Sequence, residues 1–69
     1  MEIRNEEHAR NMLKEWQGLT PAARKKEIRL AIESLELSSM YYEQKGNDKG
    51  AERAKRCVTI LAEHFSTLE

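Results

Sequence analysis

The sequence predicts an all-α domain of three helices, in which the second and third helices form an antiparallel hairpin and a shorter N-terminal helix packs on the long central one. Two observations support this prediction. Apolar residues recur at spacings of three and four along three separate stretches. The single proline and the three glycines all lie at or near the ends of those stretches. The predicted helices cover about residues 5–17, 21–45 and 49–67, and a chain of 69 residues makes a single domain.

The first predicted helix begins after Asn5, whose side chain can accept a hydrogen bond from a free amide of the first turn. Its apolar residues form one narrow stripe, which indicates a single packing partner. That stripe consists of Ala9, Met12, Leu13 and Trp16. We expect Gly18 to end the helix and Leu19 to make the hydrophobic contact that often accompanies such an end.

The central predicted helix organises the chain because its apolar residues form two separate stripes. Thr20 and Pro21 mark its start, as the N-cap and as a first helical residue that needs no amide hydrogen. The first stripe contains Ile28, Ile32, Leu35 and Tyr42, and the second contains Leu30, Leu37 and Tyr41. A helix of this kind needs two partners. They are either the two flanking helices, or one flanking helix and a second copy of the chain.

The third predicted helix follows a turn at Gly46, with Asp48 expected as its N-cap. Its apolar residues alternate spacings of three and four, which is the pattern of a seam against another helix. They are Ala51, Ala54, Val58, Leu61 and Phe65. We therefore expect the third helix to pair with the first stripe of the central helix, and the first helix to lie across the second stripe.

Composition restricts the classes of partner and the cellular compartment. The chain has 12 basic and 12 acidic residues, so no global field attracts it to nucleic acid or to an anionic membrane. No window approaches the roughly 18 apolar residues that a membrane span needs, and the start lacks an apolar signal region. The one cysteine cannot form an internal disulfide. We expect an untargeted, soluble protein of the reducing cytoplasm without a membrane partner.

Residues with reactive or metal-binding side chains are not grouped for catalysis. Cys57 and His64 lie two turns apart on the third helix, about 10 Å along its axis, which is too far to share a metal ion. The chain has no glycine-rich phosphate loop, no acidic metal loop and no nucleophile elbow. We therefore predict no enzyme activity, no catalytic residue, no metal and no cofactor.

The apolar residues are more numerous than two-sided contacts among three short helices require. Apolar surface that is left over on a small protein usually marks an interface. The predicted self-association or partner-binding residues are Trp16, Leu30, Leu37, Met40, Tyr41 and Ile60. The alternative is that the first helix covers the second stripe completely. We predict a small regulatory protein that binds other proteins through a helical surface as a homodimer, with the identity of any further partner left open.

A local basic cluster supports an alternative function, nucleic-acid binding. Its candidate contact residues lie at the starts of the second and third helices, where free amides can add to phosphate binding. These residues are Arg24, Lys25, Lys26, Arg29, Arg53 and Arg56. The four aromatic residues all lie in or near apolar stripes, so none is clearly free to stack on bases. A solvated helix surface is the simpler explanation of the cluster.

Overall fold

Three α-helices make up the computed structural model, which describes residues 3–68. Helix α1 spans Glu6–Trp16, helix α2 spans Pro21–Gln44 and helix α3 spans Asp48–Ser66. Each end lies within one residue of the predicted bound. Helices α2 and α3 share the largest contact, and α1 packs against both of them. The predicted fold class, an all-α three-helix domain, is confirmed.

Two contacts between α2 and α3 show that the hairpin is antiparallel. Near the end of α2, the Glu43 carboxylate lies 2.7 Å from the Lys55 ammonium on the first half of α3. Near the start of α2, the Arg29 guanidinium lies 5.9 Å from the centroid of the Phe65 ring, at the far end of α3. The two helices therefore run side by side over most of their length.

The connection between α2 and α3 corrects one predicted cap. Gly46 has a φ of 75°, a left-handed conformation that glycine adopts without steric cost. The Asn47 amide donates to the Tyr42 carbonyl at 2.8 Å, and the Gly46 amide donates to the Glu43 carbonyl at 3.1 Å, which is a Schellman motif. This turn leaves Asn47 as the last non-helical residue, so Asn47 is the N-cap and Asp48 is already helical.

The end of α1 also differs from the prediction. Gly46 is the only glycine with a positive φ among residues 3–68, so Gly18 does not end α1 in a left-handed turn. The Gln17 amide donates to the Lys14 carbonyl at 3.2 Å, and the Leu19 amide donates to the Trp16 carbonyl at 3.0 Å. Both bonds span three residues, which tightens the last turn without a left-handed residue. Leu19 remains 38% exposed.

The core lies between the first stripe of α2 and the inner faces of α1 and α3. Ile28 and Leu61 have no exposed surface, and Cys57 is buried beside them. Ser39 is the one buried polar residue among those described. The core also includes Ile3, Ala9, Met12, Leu13, Trp16, Leu35 and Ala54. Every residue of the predicted α1 stripe is buried, as is the centre of the first α2 stripe.

Gly50 allows the two helices of the hairpin to approach closely at the turn. A Cβ added to Gly50 would lie 3.0 Å from the Cγ atom of Tyr42 and 2.9 Å from the Nδ2 atom of Asn47. Both distances are shorter than ordinary van der Waals contact, so only glycine leaves room for the Tyr42 ring in this position. The ring thereby closes the turn end of the hairpin.

Candidate functional site

The candidate site is a face of α2 that no other part of the described chain covers. Leu30 is 50% exposed, Leu37 is 67% exposed, and Met40 and Tyr41 are each 57% exposed. We call these four residues the α2 outer face. At about 100° per residue they lie on the side of α2 opposite the buried Ile28. The protein therefore presents large apolar side chains along one helical surface.

The packing of α1 explains why this face is uncovered. Helix α1 contacts α3 more extensively than it contacts α2. It reaches only the near edge of the second stripe, where Trp16, Ile3 and Leu30 line a shallow cleft. The alternative that α1 covers the second stripe completely is therefore wrong: α1 reaches Leu30 but leaves Leu37 exposed. The 11 residues of α1 are less than half the 24 residues of α2, so α1 cannot cover both its own seam with α3 and the far end of α2.

The Tyr41 side chain is positioned by its neighbours on α2. Its ring meets the Tyr42 ring edge to face, with the ring centroids 5.9 Å apart and the planes inclined by 66°. The Lys45 ammonium lies 5.7 Å from the Tyr41 centroid, within the range of a cation–π contact. These contacts involve only part of the ring. An aromatic ring with an exposed apolar surface and a polar hydroxyl is a common anchor at protein interfaces.

Two of the six residues expected on this surface lie elsewhere. Trp16 is 6% exposed and belongs to the core between the helices. Ile60 is half-buried and packs against the same core. The sequence prediction places both on the surface because it counts fewer core residues than the helices bury. Trp16 instead lies beside Ile3 and Leu30 in the cleft between α1 and α2, and the exposed residues of the predicted set all lie on α2.

Arg24, from the predicted basic cluster, has a structural role. Its Nε atom donates to the Trp16 carbonyl at 3.3 Å, and one terminal nitrogen donates to the carbonyls of Gln17 and Leu19 at 3.1 and 3.2 Å. The last carbonyls of a helix lack partners within that helix, and a cation near them is favoured by the helix dipole. Arg24 therefore caps the end of α1 from the first turns of α2. Periodicity could not reveal this role, because it depends on the path of the turn.

The other candidate basic residues do not form one patch. Arg29 lies over the Phe65 ring, and the Arg56 Nε atom donates to the Glu6 carboxylate at 2.9 Å, which links α3 to α1. Arg53 lines a separate cleft, together with Tyr42 and Gly50 at the turn end of the hairpin. Lys26 is exposed at the start of α2.

The cleft beside Arg53 has a volume of about 400 Å³ and lies between the N-terminal segment, α2 and α3. Cys57 lines it, and burial raises the pKa of the Cys57 thiol, as does the charge of the nearby Glu6. The thiol is therefore protonated near neutral pH and is a poor nucleophile. Among residues 3–68 no carboxylate or imidazole lines this cleft, so the described residues place no general base there.

Between residues 3 and 68, no three His, Cys, Asp or Glu side chains lie close enough together to hold a metal ion. Over the same range, no helix combines the length and apolar character that crossing a bilayer requires. Comparison of the chain with protein families, curated proteins and solved structures finds no match.

Proposed function

We propose that this protein is a small binding protein of regulatory type, which acts through the α2 outer face and associates there with a second copy of the chain. The observation that carries the proposal is the exposure of four large apolar side chains on one face of a 24-residue helix. Contiguous apolar surface of this kind is uncommon on small monomers and usually marks an interface.

The energetic gain from covering this face is large for a chain of 69 residues. Full burial of one Leu or Met side chain contributes about 1.5–3 kcal/mol. A two-fold dimer would bury the same residues from both copies, because such an interface uses one patch twice. A domain this small has limited stability of its own, so burial of α2 outer faces would stabilise the folded state as well as the dimer.

The proposal places the protein in a reducing compartment such as the cytoplasm. Its one cysteine, Cys57, is buried in the core and has no second cysteine in the chain with which to form a disulfide. Small domains of oxidising compartments usually rely on several disulfides.

The test is the solution molar mass, measured by light scattering after size exclusion over a dilution series. We expect a mass about twice the 8.1 kDa of one chain, falling towards one chain on dilution. Leu37→Lys should give a monomer with unchanged helical content in far-ultraviolet circular dichroism, because Leu37 is 67% exposed. Ala62→Lys, which adds the same charge to an exposed position of α3, is the control and should remain dimeric.

Two results would contradict the proposal. One is a wild-type chain that stays monomeric at every concentration. The other is a Leu37→Lys chain that loses its helical content, which would assign Leu37 to the core of the monomer.

Nucleic-acid binding is the alternative. Arg24 and Arg56 form hydrogen bonds within the chain, so this function would depend on Lys25, Lys26 and Arg53. Titration of the protein with a generic DNA duplex at low and high salt separates the two functions. Under the protein-binding proposal, no duplex binding is expected at low salt. Binding that weakens steeply with added salt would favour the alternative.

A further inference from the structure

The charged residues beside the α2 outer face follow a definite order along the helix. Two basic residues come first and two acidic residues follow, and all four are exposed. At about 100° per residue they project from the same side of the line that joins Leu30 and Leu37. We call this set the charged flank of α2, and it consists of Lys26, Arg29, Glu33 and Glu36.

Building on the self-association proposed above, we propose that two copies pair their α2 helices in antiparallel orientation about a two-fold axis near Ala31. In that arrangement each residue lies opposite the residue at the same distance on the other side of Ala31. Lys26 of one copy lies opposite Glu36 of the other, since both are five residues from Ala31. Arg29 lies opposite Glu33 in the same way. The charged flank is therefore complementary to itself.

The same register sets Met40 of one copy opposite Ala22 of the other, an exposed apolar residue of the first turn. Leu37 of one copy lies opposite Lys25 of the other. Leu30 lies beside the axis and meets its own counterpart. The two α2 helices overlap over residues 21–41, about 30 Å at 1.5 Å per residue.

Two other arrangements of the same helices are less favourable. A parallel pair about a two-fold axis would place the two charged flanks on opposite sides of the contact, so Lys26 and Arg29 would gain no partner from the acidic half of the other flank. An antiparallel pair shifted to place Leu30 opposite Tyr41 would bring Lys26 opposite Lys45, and it would leave the first turn of each α2 without a partner. Of these three arrangements, only the register near Ala31 pairs the basic half of the charged flank with the acidic half.

The sharpest test uses two single variants, each of which reverses one charge of the charged flank. Lys26→Glu and Glu36→Lys each turn two attractive pairs of the dimer into repulsive ones. We expect each variant alone to dimerise roughly ten- to thirtyfold more weakly than wild type, from a change of about 1 kcal/mol per exposed pair. An equimolar mixture of the two should recover a dimer, because every pair in the mixed species is attractive. Lys49→Glu makes the same change on α3 and should leave the dimer constant unchanged.

Cysteine cross-linking tests the register independently of charge. Two Leu30 residues are offset by only about 3 Å along the axis in this register, whereas two Leu37 residues are offset by about 18 Å. A Leu30→Cys chain should therefore form an intermolecular disulfide on oxidation, and a Leu37→Cys chain should not. The shifted register predicts the reverse pattern.

The outcomes separate the two proposals. A wild-type chain that is monomeric throughout would overturn the self-association itself. A stable dimer whose constant is unaffected by Lys26→Glu, or that cross-links through position 37 instead of position 30, would leave self-association standing and overturn this register.

Discussion

Replacing Arg24 with alanine should destabilise the folded chain by about 1–2 kcal/mol, although Arg24 lies in a cluster of basic residues that resembles a nucleic-acid contact. Its guanidinium donates three hydrogen bonds at 3.1–3.3 Å to carbonyls at the end of α1 and in the following turn. Those carbonyls have few other partners, because α1 ends without a left-handed glycine. Without Arg24 these carbonyls would hydrogen-bond to water, and the turn that holds α1 against α2 would loosen.

The magnitude follows from the exposure of the three bonds. Hydrogen bonds to charged groups contribute about 1.5–3 kcal/mol each when they are well buried. Here only the bond to the Trp16 carbonyl is partly buried, and the bonds to Gln17 and Leu19 are exposed. The combined contribution of the three hydrogen bonds to stability is therefore close to that of a single buried hydrogen bond. For a domain of this size, about 1–2 kcal/mol corresponds to a fall in Tm of roughly 5–15 °C.

Urea unfolding followed by circular dichroism, at one fixed protein concentration, measures this effect. Lys25→Ala is the matched control, because it removes a neighbouring positive charge for which the structure shows no hydrogen bond to the α1 end. Arg24→Lys is the more selective variant: it keeps the charge but lacks the planar fork that reaches several carbonyls, so it should lose most of the same stability. If Arg24→Ala unfolds within about 0.5 kcal/mol of Lys25→Ala, the capping role assigned to Arg24 is refuted.

Two further predictions concern the hairpin of α2 and α3. Asn47→Ala should cost about 1 kcal/mol in urea unfolding, because Asn47 is the N-cap of α3, and Asp48→Ala should cost less; equal losses would contradict the assignment. The hydrogen bond from Lys55 lowers the pKa of Glu43, and the same bond raises the pKa of Lys55. The stabilisation by this pair is therefore complete between pH 4.5 and 10.5, and it is lost as pH falls through the lowered pKa of Glu43 or rises through the raised pKa of Lys55. The difference in urea midpoint between wild type and Glu43→Gln should shrink from pH 7 to pH 3, and a constant difference would contradict this account.

Apolar spacing and local end signals were sufficient to predict the helices. Thr20 and Pro21 fix the start of α2 through their own chemistry, and the Thr20 hydroxyl accepts from the Ala23 amide at 3.2 Å, as the N-cap prediction requires. Asn5 caps α1 in the same way, with its side-chain oxygen 2.7 Å from the His8 amide. Capping side chains of this kind bond to amides within one helical turn, so they can be identified from the sequence alone.

Features that depend on how distant parts of the chain meet were not predictable in this way. Asn47 and Asp48 are both good caps, and only the length of the Schellman turn selects Asn47. The role of Arg24 requires the direction in which α2 leaves α1. Gly50 serves the close approach of the Tyr42 ring, which depends on the register of the hairpin. In each case tertiary packing decides which groups meet, and the spacing of residues in the sequence does not predict that packing.

The two stripes of α2 connect these observations with the proposed function. The sequence requires two partners for α2, and within the described chain α3 supplies one partner while α1 reaches only the edge of the second stripe. Leu37, Met40 and Tyr41 therefore stay exposed although they are as apolar as the core. A solvated α2 would need only one apolar stripe, and polar residues at these three positions would fold equally well. Their presence, together with a charged flank that is complementary to itself, supports the proposal that a second α2 is their partner.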